Sequence, residues 1–328
     1  MYICVLYNIN IYFYYIFLNL KNNIWLKKNM QDKIIKIFRI TLEDQDYIIA
    51  HFKGNIKILK IDETVSIIQK IEIKYPIRLF YCNSKSNSFI SIFDGENFLK
   101  TKTIKEFTEK LETIKVDEKI NTYKKICDVF YLNEDECFIL ERKEEEKNIL
   151  ILKHLKSEES KVVHEFKSTK FYNFESKDDA ITFFFATKEK NEMIVYSVDL
   201  SSYLVTKIAS IDPKAKSMSF NPICYTIGTN KIYLKQENEN VISKSYHSKI
   251  VRHVKSFEDV IFSISKSKIV ETYLCNFYNK TILEDLRVDL SRFYSFFDDR
   301  FAIFCGNSSK IDDFVVFDRR LGKILKNK

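Results

Sequence analysis

The feature that most constrains this fold is a pattern of short apolar runs, separated by turn-forming residues, that recurs along the chain. In its last copy, residues 299–326, one apolar run ends at Gly306 and the next is closed by Asp318. Each copy indicates antiparallel strands joined by hairpins, because runs of strand length alternate with turn residues. The third runs of successive copies end near residues 62, 100, 154, 199, 235, 276 and 318, a mean spacing of about 43 residues.

Repeats of about 40 to 45 residues with four strands each indicate a β-propeller, whose blades are four-stranded antiparallel sheets. The sequence therefore predicts an all-β domain over residues 30–328, a seven-bladed β-propeller, although six or eight blades also fit the spacing. The glycines support this prediction, because Gly54, Gly95, Gly228 and Gly306 all fall between the second and third runs of their repeats. A tight turn at that point favours a residue without a Cβ atom.

Residues 103–116 depart from the strand pattern. Their apolar side chains recur at helical spacing, and Thr103 with Glu106 forms a capping-box pattern. The sequence therefore predicts a short amphipathic helical insert between strands of the propeller. We expect Phe107 and Leu111 on its apolar face to be partner-docking residues, and the alternative is that this face packs against the edge of a blade.

The first 29 residues do not fit the repeat. Residues 1–20 are mostly apolar and aromatic, but they lack the basic start and the small-residue cleavage site of a secretory signal. A transmembrane anchor has the right length, yet three asparagines are costly in hydrocarbon and five tyrosines favour the membrane interface. The remaining interpretation is a mispredicted start, with translation beginning at Met30. Residues 1–29 are thus predicted to be either a mispredicted start or a membrane anchor.

The formal net charge is +8, from 53 basic and 45 acidic residues that are mixed along the chain. This charge fits a solvated, lysine-rich surface, and it also fits a surface that faces nucleic acid. Residues 246–255 contain Lys249, Arg252 and Lys255 among apolar residues, a composition that suits contact with RNA or with an acidic partner. Strand alternation explains the same residues as one solvated edge. We treat these three basic residues as candidate partner-docking residues.

No motif in the chain indicates catalysis. There is no P-loop, GxSxG or HExxH motif, and no cysteines or histidines are paired at metal-ligand spacing. The seven cysteines lie mostly in apolar runs, which indicates reduced, buried thiols in a cytosolic or nuclear protein. The pairs Asp298-Asp299 and Asp312-Asp313 fall where turns are expected. The sequence predicts no catalytic, cofactor-binding or metal-binding residue, and hence a protein that is not an enzyme.

Over residues 34–326 the chain resembles the WD40-repeat family of β-propellers. Repeats of that family typically end their third strand with Trp-Asp. The matching dipeptides here are Ile61-Asp62, Val198-Asp199 and Phe317-Asp318. Because aspartate is kept in three of seven repeats and tryptophan in none, the chain resembles a divergent member. The Gly-His dipeptide that opens repeats of the family is absent.

The resemblance implies a non-catalytic scaffold that mediates protein–protein interactions in an intracellular multiprotein complex. Ribosome-assembly, nuclear-pore, coat and ubiquitin-ligase complexes are the kinds of assembly that it implies. The alternative is a nucleolar ribosome-assembly factor whose basic faces contact RNA. The expected location is cytoplasmic or nuclear, without a cofactor or a small-molecule substrate, and membrane contact is expected only if residues 1–29 are part of the protein.

Overall fold

Seven antiparallel sheets follow one another along the chain and form a ring, so the predicted seven-bladed β-propeller is confirmed. The computed structural model describes residues 34–328 apart from several gaps. The gaps are residues 75, 83–86, 96, 115–125, 145–146, 155–156, 158, 168–169, 177–181, 190, 200, 237–239, 258, 285–293, 299 and 306–313. The predictions made for residues 1–29 concern a segment outside the described residues.

The strands of each blade are consecutive in sequence, and each pairs with the next in antiparallel fashion. The strands of blades 1 to 3 are β1 (Ile34–Leu42), β2 (Gln45–Phe52), β3 (Asn55–Ile61), β4 (Thr64–Glu72), β5 (Arg78–Cys82), β6 (Phe89–Phe93), β7 (Phe98–Thr101), β8 (Ile126–Tyr131), β9 (Glu136–Glu144), β10 (Lys147–His154) and β11 (Ser160–Lys167). Those of blades 4 and 5 are β12 (Lys170–Ser176), β13 (Thr182–Glu189), β14 (Glu192–Asp199), β15 (Leu204–Ile211), β16 (Ser217–Phe220), β17 (Ile223–Thr226), β18 (Lys231–Lys235) and β19 (Val241–Ser245).

Blades 6 and 7 complete the ring. Their strands are β20 (His253–Phe257), β21 (Val260–Ile264), β22 (Lys268–Tyr273), β23 (Asn279–Glu284), β24 (Tyr294–Phe297), β25 (Phe301–Cys305), β26 (Phe314–Asp318) and β27 (Lys323–Ile324). The predicted ends of the third strands agree with the observed ends to within three residues, because the turn residues that close them are visible in the sequence.

The ring has two faces, which the connections define. First strands of neighbouring blades contact each other, as β1 does with β24 and β16 does with β20, so first strands are innermost. The turns between second and third strands and the connections between blades lie on one face, here called the upper face. The lower face carries the turns between first and second and between third and fourth strands. Gly95 and Gly228 lie in upper-face turns with φ of 113° and 84°, as the sequence predicted.

Blade 2 differs from the others because, among its described residues, the sheet has three strands, β5, β6 and β7. The helix α1 (Ile104–Thr113) follows β7 and lies beside β7 and β4, where a fourth strand would start. Thr103 caps it, since its side-chain oxygen accepts the N–H of Glu106 at 3.1 Å. The predicted helical insert is thereby confirmed, and in this blade it takes the position of the outer strand.

The ring is closed by the C-terminal residues. After β27 the chain leaves blade 7 and forms β28 (Lys326–Asn327), which pairs in parallel with the start of β4 in blade 1. The N–H of Leu325 donates to the carbonyl of Val316 at 2.8 Å, and the N–H of Lys328 donates to the carbonyl of Val65 at 2.8 Å. One short segment therefore binds the last blade and the first blade together.

The core consists of apolar clusters between neighbouring blades. Ile48, Phe52 and Leu59 of blade 1 form one cluster with Phe301 and Phe314 of blade 7, and all five are fully buried or nearly so. Burial of each such side chain stabilises the fold by about 1.5 to 3 kcal/mol. Because blades bury side chains against each other, the loops on the two faces are held on a rigid support.

Candidate interaction surfaces

Residues 246–252 of the predicted basic segment lie in the upper-face loop between blades 5 and 6, and residues 253–255 begin β20. Lys249, Ile250 and Arg252 are exposed, whereas Val251 between them is buried in the core. The N–H of Val251 donates to the carbonyl of Thr229 at 2.8 Å. Val251 therefore anchors the loop, and its neighbours point to solvent.

The same loop is attached to blade 6 as well. The N–H of Arg252 donates to the carbonyl of Ile264 at 2.7 Å, and the ring of His247 meets the hydroxyl of Ser263 at 2.8 Å between Nε2 and Oγ. Burial, together with the charge of Lys268, lowers the pKa of His247 to about 4. His247 is consequently neutral at pH 7 and acts as a positioning group for the loop.

Six basic residues lie together on this sector of the upper face, on two inter-blade loops, one turn and the start of one strand. We call them the basic platform: Lys214, Lys216, Lys231, Lys249, Arg252 and Lys266. The carboxylate of Asp212, on the same face, accepts the N–H of Lys214 at 2.7 Å. Among the described residues no ion pair involves a member of the platform, so this sector is electropositive.

Gly228 shapes the platform. A Cβ atom at this position would lie 2.8 Å from Nζ of Lys216, and the residue has a φ of 84° that side chains rarely tolerate. The N–H of Lys216 donates to the carbonyl of Thr226 at 2.8 Å, so the backbone of Lys216 is held beside this turn. Glycine here therefore lets Lys216 lie across the turn.

The third predicted basic residue is not part of this sector. Lys255 lies on β20, the innermost strand of blade 6, opposite Phe262 of β21, and it is only partly exposed. The structure thus brings Lys249 and Arg252 into one loop and places Lys255 nearer the central axis. No pattern in the sequence identifies Lys214, Lys216, Lys231 and Lys266 as members of the platform, because they come from three separate segments.

The helix residues Phe107 and Leu111 face the interior. Phe107 is fully buried in a cluster with Ile58 and Ile90, and Leu111 packs against the same cluster. The apolar face of the helix thus packs against the blades, as the alternative prediction expects. The docking role of Phe107 and Leu111 stays a prediction, and in this structure Phe107 has no exposed surface.

Asp298 holds a turn of blade 7 and an ion pair with blade 1. Its Oδ1 atom accepts the N–H groups of Arg300 and Phe301 at 2.9 and 2.6 Å, which is the turn chemistry that the sequence predicted. Its Oδ2 atom accepts Nη1 of Arg39 at 2.6 Å. Residues 299 and 312–313 lie outside the described residues.

The described part of the chain contains neither a candidate metal site nor a membrane-spanning helix. Within it, no group of three or more histidine, cysteine, aspartate or glutamate side chains could hold a metal ion. No helix within it has the length and apolar character needed to cross a membrane. The side chains of Cys82, Cys137, Cys224 and Cys305 are buried, whereas that of Cys275 is exposed.

No family model matches the sequence, and no curated protein matches it either. Among solved structures the chain is similar to Sqt1 of Saccharomyces cerevisiae, with 7% identity, a TM-score of 0.53, and coverage of 85% of this chain and 94% of Sqt1. Sqt1 is a WD40 propeller protein. In fold, this chain is a WD40-like β-propeller.

A second similar structure is a puromycin-hydrolysing peptidase of Mycobacterium tuberculosis. Here the identity is 6% and the TM-score 0.50, and the match covers 82% of this chain and 50% of the peptidase. At these identities the two likenesses show the WD40-like fold alone.

Proposed function

We propose that this chain is a non-catalytic scaffold in an intracellular multiprotein complex, where the basic platform binds an acidic segment of a protein partner. The observation that carries the proposal is Ile250, which is 44% exposed between Lys249 and Arg252 on a loop bonded to two blades. Binding energy in protein interfaces is concentrated in apolar centres with a charged rim. Ile250 supplies such a centre, and the platform supplies the rim.

The rigidity of the loop supports the proposal. Its backbone is bonded to Thr229 of blade 5 and to Ile264 of blade 6, so little conformational entropy is lost when a partner binds. The charges of the platform steer an acidic partner toward the loop, an effect that salt screens over about 10 Å at 0.1 M ionic strength. A cytoplasmic or nuclear location belongs to the same proposal.

The test is affinity purification of the tagged chain, followed by identification of the proteins retained. We expect the double variant Lys249→Glu/Arg252→Glu to lose its specific partners, and Ile250→Ser to lose most of them. The matched control is Lys70→Glu, a charge reversal on an exposed residue of β4 far from the platform. Retention of the same partners by all variants would exclude the platform as their docking surface.

RNA binding in ribosome assembly is the second candidate, favoured by the excess of basic residues on the platform. Contact with phosphates releases counterions, so RNA affinity should fall steeply with salt and should depend on Lys249 and Arg252. It should not depend on Ile250, which carries no charge. Retention of labelled poly(U) RNA by the wild type and by Ile250→Ser, but not by the double variant, would favour this candidate over the protein partner.

A further inference from the structure

Three turns on the lower face each expose a large apolar side chain. The turns between third and fourth strands of blades 4, 6 and 7 expose Leu204, Tyr278 and Leu321, at 62%, 59% and 59%. These are the most exposed large apolar side chains among the residues that the structure describes. Between them, the outer strand of blade 5 begins with another exposed apolar residue, Val241. We call Leu204, Tyr278 and Leu321 the apolar arc.

In each turn a polar side chain accepts backbone N–H groups of the turn. Oδ1 of Asp318 accepts the N–H of Leu321 at 2.9 Å, and Oδ1 of Asn276 accepts the N–H of Tyr278 at 2.8 Å. In blade 4, Asp199 accepts the N–H groups of residues 201 and 202 at 2.8 and 2.9 Å. The turns are therefore fixed by their own side chains.

Each turn also contains a residue with positive φ. Tyr203, Phe277 and Gly322 have φ of 56°, 55° and 63°. For Tyr203 and Phe277 this conformation is unfavourable, because their Cβ atoms crowd the backbone. A surface that had only to be soluble would need neither the strained backbone nor an exposed leucine or tyrosine at the tip. The combination occurs in the turns of blades 4 and 6, and the turn of blade 7 has the same positive φ at Gly322, which indicates a surface that presents apolar side chains in fixed positions.

Most exposed charged groups beside the arc are basic; the carboxylates there are Asp199 of blade 4, Asp259 of blade 6 and the buried Asp318 of blade 7. Lys280 and Lys323 are exposed at the starts of the outer strands of blades 6 and 7, and Arg320 is exposed beside Leu321. The carboxylates of Asp199 and Asp318 are both used within their own turns. A partner that covers the arc must therefore carry acidic groups to match this charge.

We infer that the apolar arc binds a second protein partner, through an acidic segment that also carries apolar side chains. The arc lies on the face opposite the basic platform, so the propeller can hold two partners at once. This inference extends the proposed scaffold function, but it does not depend on the platform. A lipid surface would need the same apolar and basic groups, and the experiment below separates the two.

The test is a selection of short random peptides on the immobilised chain, followed by titration of the labelled peptides against purified variants. We expect enrichment of peptides with both acidic and large apolar residues. Leu321→Ser and Tyr278→Ser should each weaken their binding about tenfold or more. The matched control is Ile208→Ser, which removes an exposed apolar side chain from the middle of β15, away from the turns.

Other outcomes overturn the inference. Peptides without acidic residues, or affinities unchanged in both arc variants, exclude an acidic partner on the arc. Binding of phosphatidylserine vesicles that is lost in the arc variants, without any peptide that competes, assigns the arc to a lipid surface instead. Peptide binding that is lost in Ile250→Ser alone leaves the platform proposal standing and excludes the arc. All the substituted side chains are exposed, so the variants should fold, and thermal unfolding checks that they do.

Discussion

Arg39 of the first blade and Asp298 of the last are joined across the closure of the ring, with 2.6 Å between Nη1 and Oδ2. Asp46 accepts a second nitrogen of the same guanidinium at 2.7 Å. Burial lowers the pKa of Arg39, but the two carboxylates outweigh it, so the pKa is raised and the charge is secure. Because the side chains of Arg39 and Asp298 are largely buried, loss of either partner leaves a charge that water cannot fully solvate.

The first prediction follows from this contact. Asp298→Ala should lower the free energy of unfolding by about 3 to 5 kcal/mol, since it removes the ion pair and the turn contacts together. Asp298→Asn keeps an oxygen for the N–H groups of Arg300 and Phe301 and should cost clearly less. Urea unfolding followed by circular dichroism measures both. The control is Lys70→Ala, which breaks an exposed ion pair with Glu72 and should cost about 1 kcal/mol or less.

The second prediction concerns two adjacent residues of the C-terminal segment. Leu325 is buried between blades 1 and 7, whereas Ile324 is exposed. Leu325→Ala should therefore lower the free energy of unfolding, measured in urea, by about 2 to 5 kcal/mol. Ile324→Ala should lower it by about 1 kcal/mol or less. Equal losses in the two variants would mean that Leu325 does not close the ring.

Local features of the fold could be predicted from the sequence. Asp62, Asp199 and Asp318 close or follow third strands because their side chains suit turns, and they gave the period of the repeat. Gly228 marked an upper-face turn for the same kind of reason. The helix was visible because its capping box and its apolar spacing lie within a few residues of each other.

Contacts between distant segments could not be predicted in this way. The parallel pairing of Lys326 with Thr64 joins residues at opposite ends of the chain, and two residues carry no recognisable strand pattern. Arg39 and Asp298 are likewise far apart in sequence. The basic platform collects single residues from separate loops, so only the predicted loop around Lys249 and Arg252 was identified in advance.

The third prediction separates the two sides of the helix. Phe107→Ala should lower the free energy of unfolding by about 3 to 5 kcal/mol, because it empties a space in the core between blades 1 and 2. Lys105→Ala on the exposed side should change stability by about 0.5 kcal/mol or less. Thermal and urea unfolding measure both variants. If Phe107→Ala were as stable as Lys105→Ala, the helix would not serve as the outer element of blade 2.

The fourth prediction concerns His51, which lies on β2 opposite Lys36 of β1 and is almost fully buried. Burial, together with the charge of Lys36, lowers the pKa of His51 from 6.5 to about 4. The Nδ1 atom has no hydrogen-bond partner among the described residues, so nothing there stabilises the protonated ring. The folded protein therefore keeps His51 neutral at pH 5, where the unfolded chain would protonate it.

The unfolded state thus binds more protons between pH 6.5 and 4, and stability must fall as the pH falls through this window. The lowered pKa of His51 corresponds to a contribution of about 3 kcal/mol to the free energy of unfolding. This contribution is complete above pH 6.5 and lost near pH 4. In His51→Leu this contribution is absent, so the difference in free energy of unfolding between wild type and variant should change with pH. Urea unfolding at intervals from pH 7.5 to pH 4.5 measures that difference, in which the other titrating groups cancel. A constant difference across the window would show that His51 is protonated within the fold.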